Sequence, residues 1–174
     1  DSSFPDTKRF TISRFSQNLD YLDTISSNPA QNLLLSGLAL DGANSCHLAG
    51  TYRGALSFGS LSLPQQSNIS TFVIGLDSEL QTLWANCATS TNSVVPKAIT
   101  ADENGNCYIA GRIKNGGWFG SINVSGWGQN DIFVAKLNSS GAWAWAKTNG
   151  SIMDDYATGI TMNPNGLCSV IGRF

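Results

Sequence analysis

One histidine, a doubled aspartate, four cysteines and five tryptophans are the side chains of this 174-residue chain whose types invite a chemical reading. His47 would have to act as the base of a Ser-His-Asp or Cys-His arrangement, with a nucleophile and an orienting carboxylate held against a single imidazole. Asp154 and Asp155 could ligate a hard cation such as calcium or cap a turn. The other carboxylates are scattered and mark no pair of strand ends for glycoside hydrolysis. No Walker-type or dinucleotide glycine motif opens a helix. The sequence therefore assigns no catalytic residue, no metal site and no cofactor. Its tryptophans say more. Trp118 and Trp127 lie in Asn115-Gly-Gly-Trp-Phe-Gly and Ser125-Gly-Trp-Gly-Gln-Asn, where glycines leave the backbone open and amides adjoin flat apolar rings. Sugars bind such mixtures, so Trp118, Trp127, Gln129 and Asn130 are the candidate ligand-binding residues, with the two rings as stacking platforms. The competing reading is that the rings cover a sheet edge or a subunit contact.

These residues sit on a repeat. Cys46, Cys107 and Cys168 are spaced 61 residues apart, as are Gly50, Gly111 and Gly172, and Leu38, Ile99 and Ile160. Equivalent cysteines of neighbouring repeats are too far apart to bond and match no zinc spacing, so they read as small buried hydrophobes. The equivalents of His47 are Tyr108 and Ser169, so a catalytic triad would have to arise in one copy alone. Trp84 and Trp145 recur at one site and read as core, whereas Trp118, Trp127 and Trp143 align with Ser57, Gln66 and Thr82 and are private to one copy.

Strands follow from the alignment. Period-two alternation marks a first strand at 34–41, 97–102 and 157–163. A polar turn leads to a second strand carrying the cysteine and glycine, and a short extra strand follows Phe58-Gly59 and Phe119-Gly120. Phe72-Val-Ile-Gly-Leu-Asp and Phe133-Val-Ala-Lys-Leu-Asn are third strands whose apolar runs imply burial on both faces. A fourth carries Trp84 or Trp145; its N-terminal copy has Asp23 at that position, where a one-residue slip would bring in Tyr21 or Leu22. Repeats of this length point to an all-β protein, a β-propeller of four-stranded antiparallel blades with three blade-equivalents. The divisions are a partial blade at 1–30, blades at 31–92 and 93–152, and a partial blade at 153–174. Three blades should not close, so self-association or a longer propeller is expected.

A net charge of −2, with 13% charged residues, offers no basic face for nucleic acid. No apolar run is long enough to insert in a membrane, and Asp1-Ser-Ser-Phe-Pro-Asp6 lacks the regions of a signal peptide.

Asp131-Ile-Phe-Val-Ala-Lys-Leu-Asn, Trp145-Ala-Lys, Asp154-Asp-Tyr-Ala-Thr-Gly-Ile, Asn165-Gly and Ile109-Ala-Gly resemble the bacterial β-propeller repeats abbreviated SBBP. The similarity runs over almost the whole chain and is strongest over 121–174. It implies a blade array, an extracellular or cell-surface location, and a binding or structural task, and it transfers no catalytic residue. Asp-Asp-Tyr is kept at 154–156 but is Ser-Val-Val at 93–95, which argues against a repeated ion site. The expectation is a non-catalytic interaction module with carbohydrate as candidate ligand and other protein chains as partners. The alternative is a scaffold component of a surface appendage or virus particle. An enzyme built on a propeller is a third reading that no constellation supports.

Overall fold

A computed structural model describes residues 7–174. The opening of the 1–30 partial blade and the reading of Asp1–Asp6 as free of signal-peptide character lie outside the described residues. The chain is all-β, and no helix occurs among the described residues. After β1 (Thr7–Lys8) comes an isolated hairpin, β2 (Thr11–Phe15) with β3 (Tyr21–Ser26). β4 (Ala30–Leu40), β5 (Cys46–Phe58), β6 (Leu61–Leu76) and β7 (Thr82–Thr89) pair antiparallel in that order. The next unit repeats the pattern with β8 (Ser93–Ala101), β9 (Cys107–Lys114), β12 (Asp131–Leu137) and β13 (Trp143–Asn149). A small hairpin, β10 (Gly117–Phe119) with β11 (Ile122–Val124), interrupts it. β14 (Tyr156–Met162) and β15 (Cys168–Arg173) form the last hairpin.

One turn recurs at six places, after Ser16, Asp41, Asp77, Asp102, Asn138 and Asn163. The first residue donates its N–H to the carbonyl four residues on and accepts, at its own carbonyl, the N–H three residues on. Its side-chain oxygen takes further turn N–H groups; Asp102 Oδ1, for example, accepts from Asn104 and Asn106, both at 3.0 Å. This is why Ser, Asp or Asn stands there: a short oxygen acceptor satisfies amides that the reversal leaves unpaired. The fourth residue is left-handed in each case, at Leu19, Asn44, Leu80, Gly105, Gly141 and Gly166.

A second recurrent device explains the repeated glycines. The first strand of each unit bulges at Leu35/Gly37, Pro96/Ala98 and Ala157/Gly159, the bulges lying 61 residues apart. The bulged strand's carbonyl then points under the neighbouring glycine. A Cβ on Gly50 would fall 2.2 Å from Leu34 O, on Gly111 2.1 Å from Val95 O, and on Gly172 2.4 Å from Tyr156 O. No other residue fits there without moving the backbone.

The core lies between successive units. Leu48, Phe72 and Ile74 pack with Phe10 and Phe58 on one face of the first four-stranded unit, while Ala49, Val73 and Ala88 on its other face meet Val94, Ile109, Phe119 and Phe133 of the second. Ala110, Ile132 and Ala157 begin a third layer with Val134, Ile160 and Val170. Alternation buries both faces, with small residues on one unit receiving large ones from the next. Asp23 keeps the register without a slip: it lies opposite Arg14, as Trp84 lies opposite Gly75 and Trp145 opposite Lys136. There it forms a two-point ion pair, with Arg14 Nε 3.1 Å from Oδ1 and Nη2 2.9 Å from Oδ2.

Leu19 is 80% exposed at φ 65°, so its side chain gains nothing from the left-handed backbone it must adopt. Leu19→Gly is expected to stabilise the protein by about 1 kcal/mol in urea unfolding. Leu80→Gly, at the equivalent turn position, is expected to destabilise it, because Leu80 is only 8% exposed and packs in the first core layer.

Candidate binding surface

The β10–β11 hairpin turns on Gly120-Ser121, with Gly120 at φ 60°, a glycine-first two-residue reversal that matches the strand twist. Its first strand also pairs with β7 of the preceding unit, placing Trp118 opposite Thr89 and Phe119 opposite Ala88. Strand alternation then separates the two rings. Phe119 is fully buried and packs edge-on to Trp143 with centroids 5.0 Å apart, while Trp118 faces outward and is 45% exposed.

Trp127 belongs to the loop between β11 and β12 and is 59% exposed. Its backbone N–H donates to Asp131 Oδ2 at 2.9 Å. The residue borders a shallow groove of about 280 Å³ with Asn149, Gly150, Ser151 and Ile152. Gln129 borders an adjoining groove of about 350 Å³, with Ser151, Met153, Asp154, Arg173 and Phe174. Asn130 ties the two loops together: its Nδ2 donates to Asp154 Oδ1 at 2.5 Å and its carbonyl accepts the Asp155 N–H at 2.9 Å. Three of the four sequence-predicted residues, Trp127, Gln129 and Asn130, therefore meet at the 149–154 loop. Trp118 lines neither groove.

Below this surface lie two fully buried carboxyls, Asp131 and Asp155. Asp155 Oδ2 accepts the Ser151 N–H at 2.5 Å, as Asp131 Oδ2 accepts that of Trp127. Oδ1 of each has no hydrogen-bond partner. Both carboxyls look onto Gly150, where a Cβ would stand 2.4 Å from Asp131 Oδ1 and 2.9 Å from Asp155 Oδ2. Sequence reasoning met Asp131 only as part of the SBBP-like motif, gave it no role, and left Asp155, with Asp154, between a cation ligand and a turn or capping residue. The repeat held a usable signal: the residues equivalent to Asp155 are Leu33 and Val94, both buried aliphatics.

His47 serves the fold. It is buried, with Nε2 3.1 Å from Asp41 Oδ2 and its ring 5.6 Å from that of Trp84. One repeat on, Tyr108 donates its hydroxyl to Asp102 Oδ2 at 2.9 Å, so the imidazole takes the place of a phenol bracing the same turn. Among the described residues its Nδ1 has no partner, and no serine or cysteine hydrogen-bonds the ring. The four cysteines are free. Burial pushes the Cys46 thiol up to about 11 and the Cys107 thiol up to about 12, which keeps both protonated at neutral pH. Trp84, read as core, is half-buried and donates its indole N–H to Ser139 O of the next unit at 3.1 Å; Trp143, read as private, donates to Asn86 Oδ1 and Cys87 O, each at 3.2 Å.

No protein-family model matches the chain, and no curated protein matches it in sequence.

Burial works to raise the Asp41 and Asp102 carboxyls, but hydrogen bonds outweigh it: from Ser45, His47 and Ala43 on Asp41, and from Asn106, Tyr108 and Asn104 on Asp102. Both titrate below the ordinary carboxylate range. A carboxyl with a lowered folded-state pKa contributes stability that is fully present above its unfolded value, about 3.9, and is lost as pH falls through the folded value. Urea midpoints are therefore expected to fall as pH drops below about 4, and Asp41→Asn with Asp102→Asn to flatten that dependence.

Proposed function

We propose that the chain is a β-propeller repeat array of the SBBP type, built from blades of four antiparallel strands, acting outside the cell or at its surface as a non-catalytic interaction module with lectin-like recognition of glycans. The propeller reading is supported by the strand order repeated every 61 residues and by the packing of successive first strands. Ser36 Oγ donates to Pro96 O at 2.7 Å, and a Cβ on Gly37 would stand 3.0 Å from Ile99 Cγ2. The SBBP assignment rests on the motifs of strands β9, β12, β13 and β14 and the turns near them.

The observation that carries the recognition reading is the exposed Trp127 indole beside a groove bordered by Asn149 and Ser151. An indole offers a large rigid apolar face at low entropic cost, and the neighbouring amide and hydroxyl supply hydrogen bonds to ring hydroxyls. Gln129 extends the surface, whereas Asn130 is already committed to Asp154 and shapes the loop. Trp118 is an outlying contact. Such a site favours weak binding strengthened by repetition in an assembly.

A second reading, a scaffold component of a surface appendage or virus particle, is favoured by exposed apolar side chains. Leu34, Leu35, Leu38 and Leu40 on β4, and Leu167, Ile171 and Phe174 around β15, are all exposed. They suit contact with further blades, whether from self-association or from a longer propeller.

Glycan-array screening followed by titration tests the recognition reading. Saturable binding is expected, with affinity reduced roughly tenfold by Trp127→Ala, less by Trp118→Ala, and with unfolding midpoints unchanged. No glycan bound, with extensive fixed contacts to other chains, would favour the scaffold.

A further inference from the structure

Asp131 and Asp155 stand where the same fold does without charge. One repeat earlier the equivalent residues are Ser70 and Val94, and Gly150 is replaced by Thr89. The earlier copy is buried at both positions as well, so burial there is a demand of the architecture and the carboxyls are not. A carboxylate enclosed in protein needs its oxygens satisfied and its charge compensated. Each has one oxygen on a backbone N–H, at Trp127 and Ser151, and one orphan. Neither has an arginine or histidine ion-pair partner among the described residues. The two groups converge: the point 2.4 Å from Asp131 Oδ1 and 2.9 Å from Asp155 Oδ2 puts those oxygens no more than 5.3 Å apart, the sum of the two. Glycine at 150 removes the side chain that would separate them.

We infer that Asp131 and Asp155 form an oxygen-donor site for a hard divalent cation, calcium in preference to magnesium or zinc, which fastens the loop carrying Trp127 to the 149–154 loop. The donor set decides the metal. No group of three or more His, Cys, Asp or Glu converges among the described residues, so the ligands beyond the two carboxylates are neutral oxygens from main-chain carbonyls, hydroxyl or amide side chains and water. Calcium accepts six to eight such oxygens in flexible geometry, magnesium demands a near-ideal octahedron, and zinc favours nitrogen and sulfur. Asp131 holds the Trp127 amide through its other oxygen, and Asp155 Oδ2, the oxygen nearest Asp131 Oδ1 across Gly150, holds the Ser151 amide, so a cation between them would set the spacing of both loops. This inference does not depend on glycan binding, and the two are measured separately.

The test compares wild type with Asp131→Ser/Asp155→Val, which installs the pair with which the preceding copy already folds. In about 10 mM calcium chloride the wild-type Tm is expected to rise by about 3 to 10 °C over EDTA, while that of the variant stays put. Terbium added to wild type should become luminescent on excitation of tryptophan, calcium should quench the signal by competition, and the variant should give no signal. A wild type unmoved by calcium overturns the inference. Equal calcium shifts in the two proteins overturn it as well, by placing the ion elsewhere.

Discussion

A side-chain oxygen accepting main-chain N–H groups at each tight reversal is the interaction from which the rest of this architecture follows. Ser16, Asp41, Asp77, Asp102, Asn138 and Asn163 each anchor such a turn. A hairpin's turn geometry sets the register of its strands, and a slip of one residue would exchange the two faces. Because both faces are buried between units, an exchanged register would set Phe72 where Val73 now meets the next unit's Phe133 layer. The bulges recur at constant spacing, and the glycines opposite them, Gly50, Gly111 and Gly172, are required by the carbonyls the bulges aim at them.

The same constraint gives His47 a structural task. Asp41 and Asp102 each use one oxygen on turn amides and offer the other to the residue six positions on, His47 or Tyr108. What is needed is a donor of the right reach, and imidazole and phenol both supply it. A lone buried histidine beside an aspartate, which in isolation resembles part of a catalytic triad, is here one of two solutions to bracing a turn.

Departure from the repeat is concentrated in one place. Asn115 and Gly116, at φ 63° and 67°, break the path from β9 to β10, whereas at the matching place the first unit continues within the long strand β5, with Gly54 alone at positive φ, 81°. The broken path leads into the loop that carries Trp127, Gln129 and Asn130, and Asp131 and Asp155 lie directly beneath. The private Trp127 indole above and the private carboxyls below occupy one corner of the structure.

The sequence by itself determined the all-β class, the 61-residue register, the order of strands and the positions of the turns, because these depend on periodicity and on local acceptor and glycine chemistry that each segment carries alone. It also singled out Trp118, Trp127, Gln129 and Asn130 as candidate contacts, by subtracting one copy from the next. Only the tertiary structure decided that Trp118 stands apart from the other three, because β10 pairs sideways with β7 of the preceding unit and that pairing is non-local. It alone decided that Asp131 and Asp155 are buried facing each other across Gly150. Burial and convergence of charge arise where segments distant in the chain pack together, and a strand-opening aspartate reads the same in sequence whether its carboxyl meets water or another carboxyl.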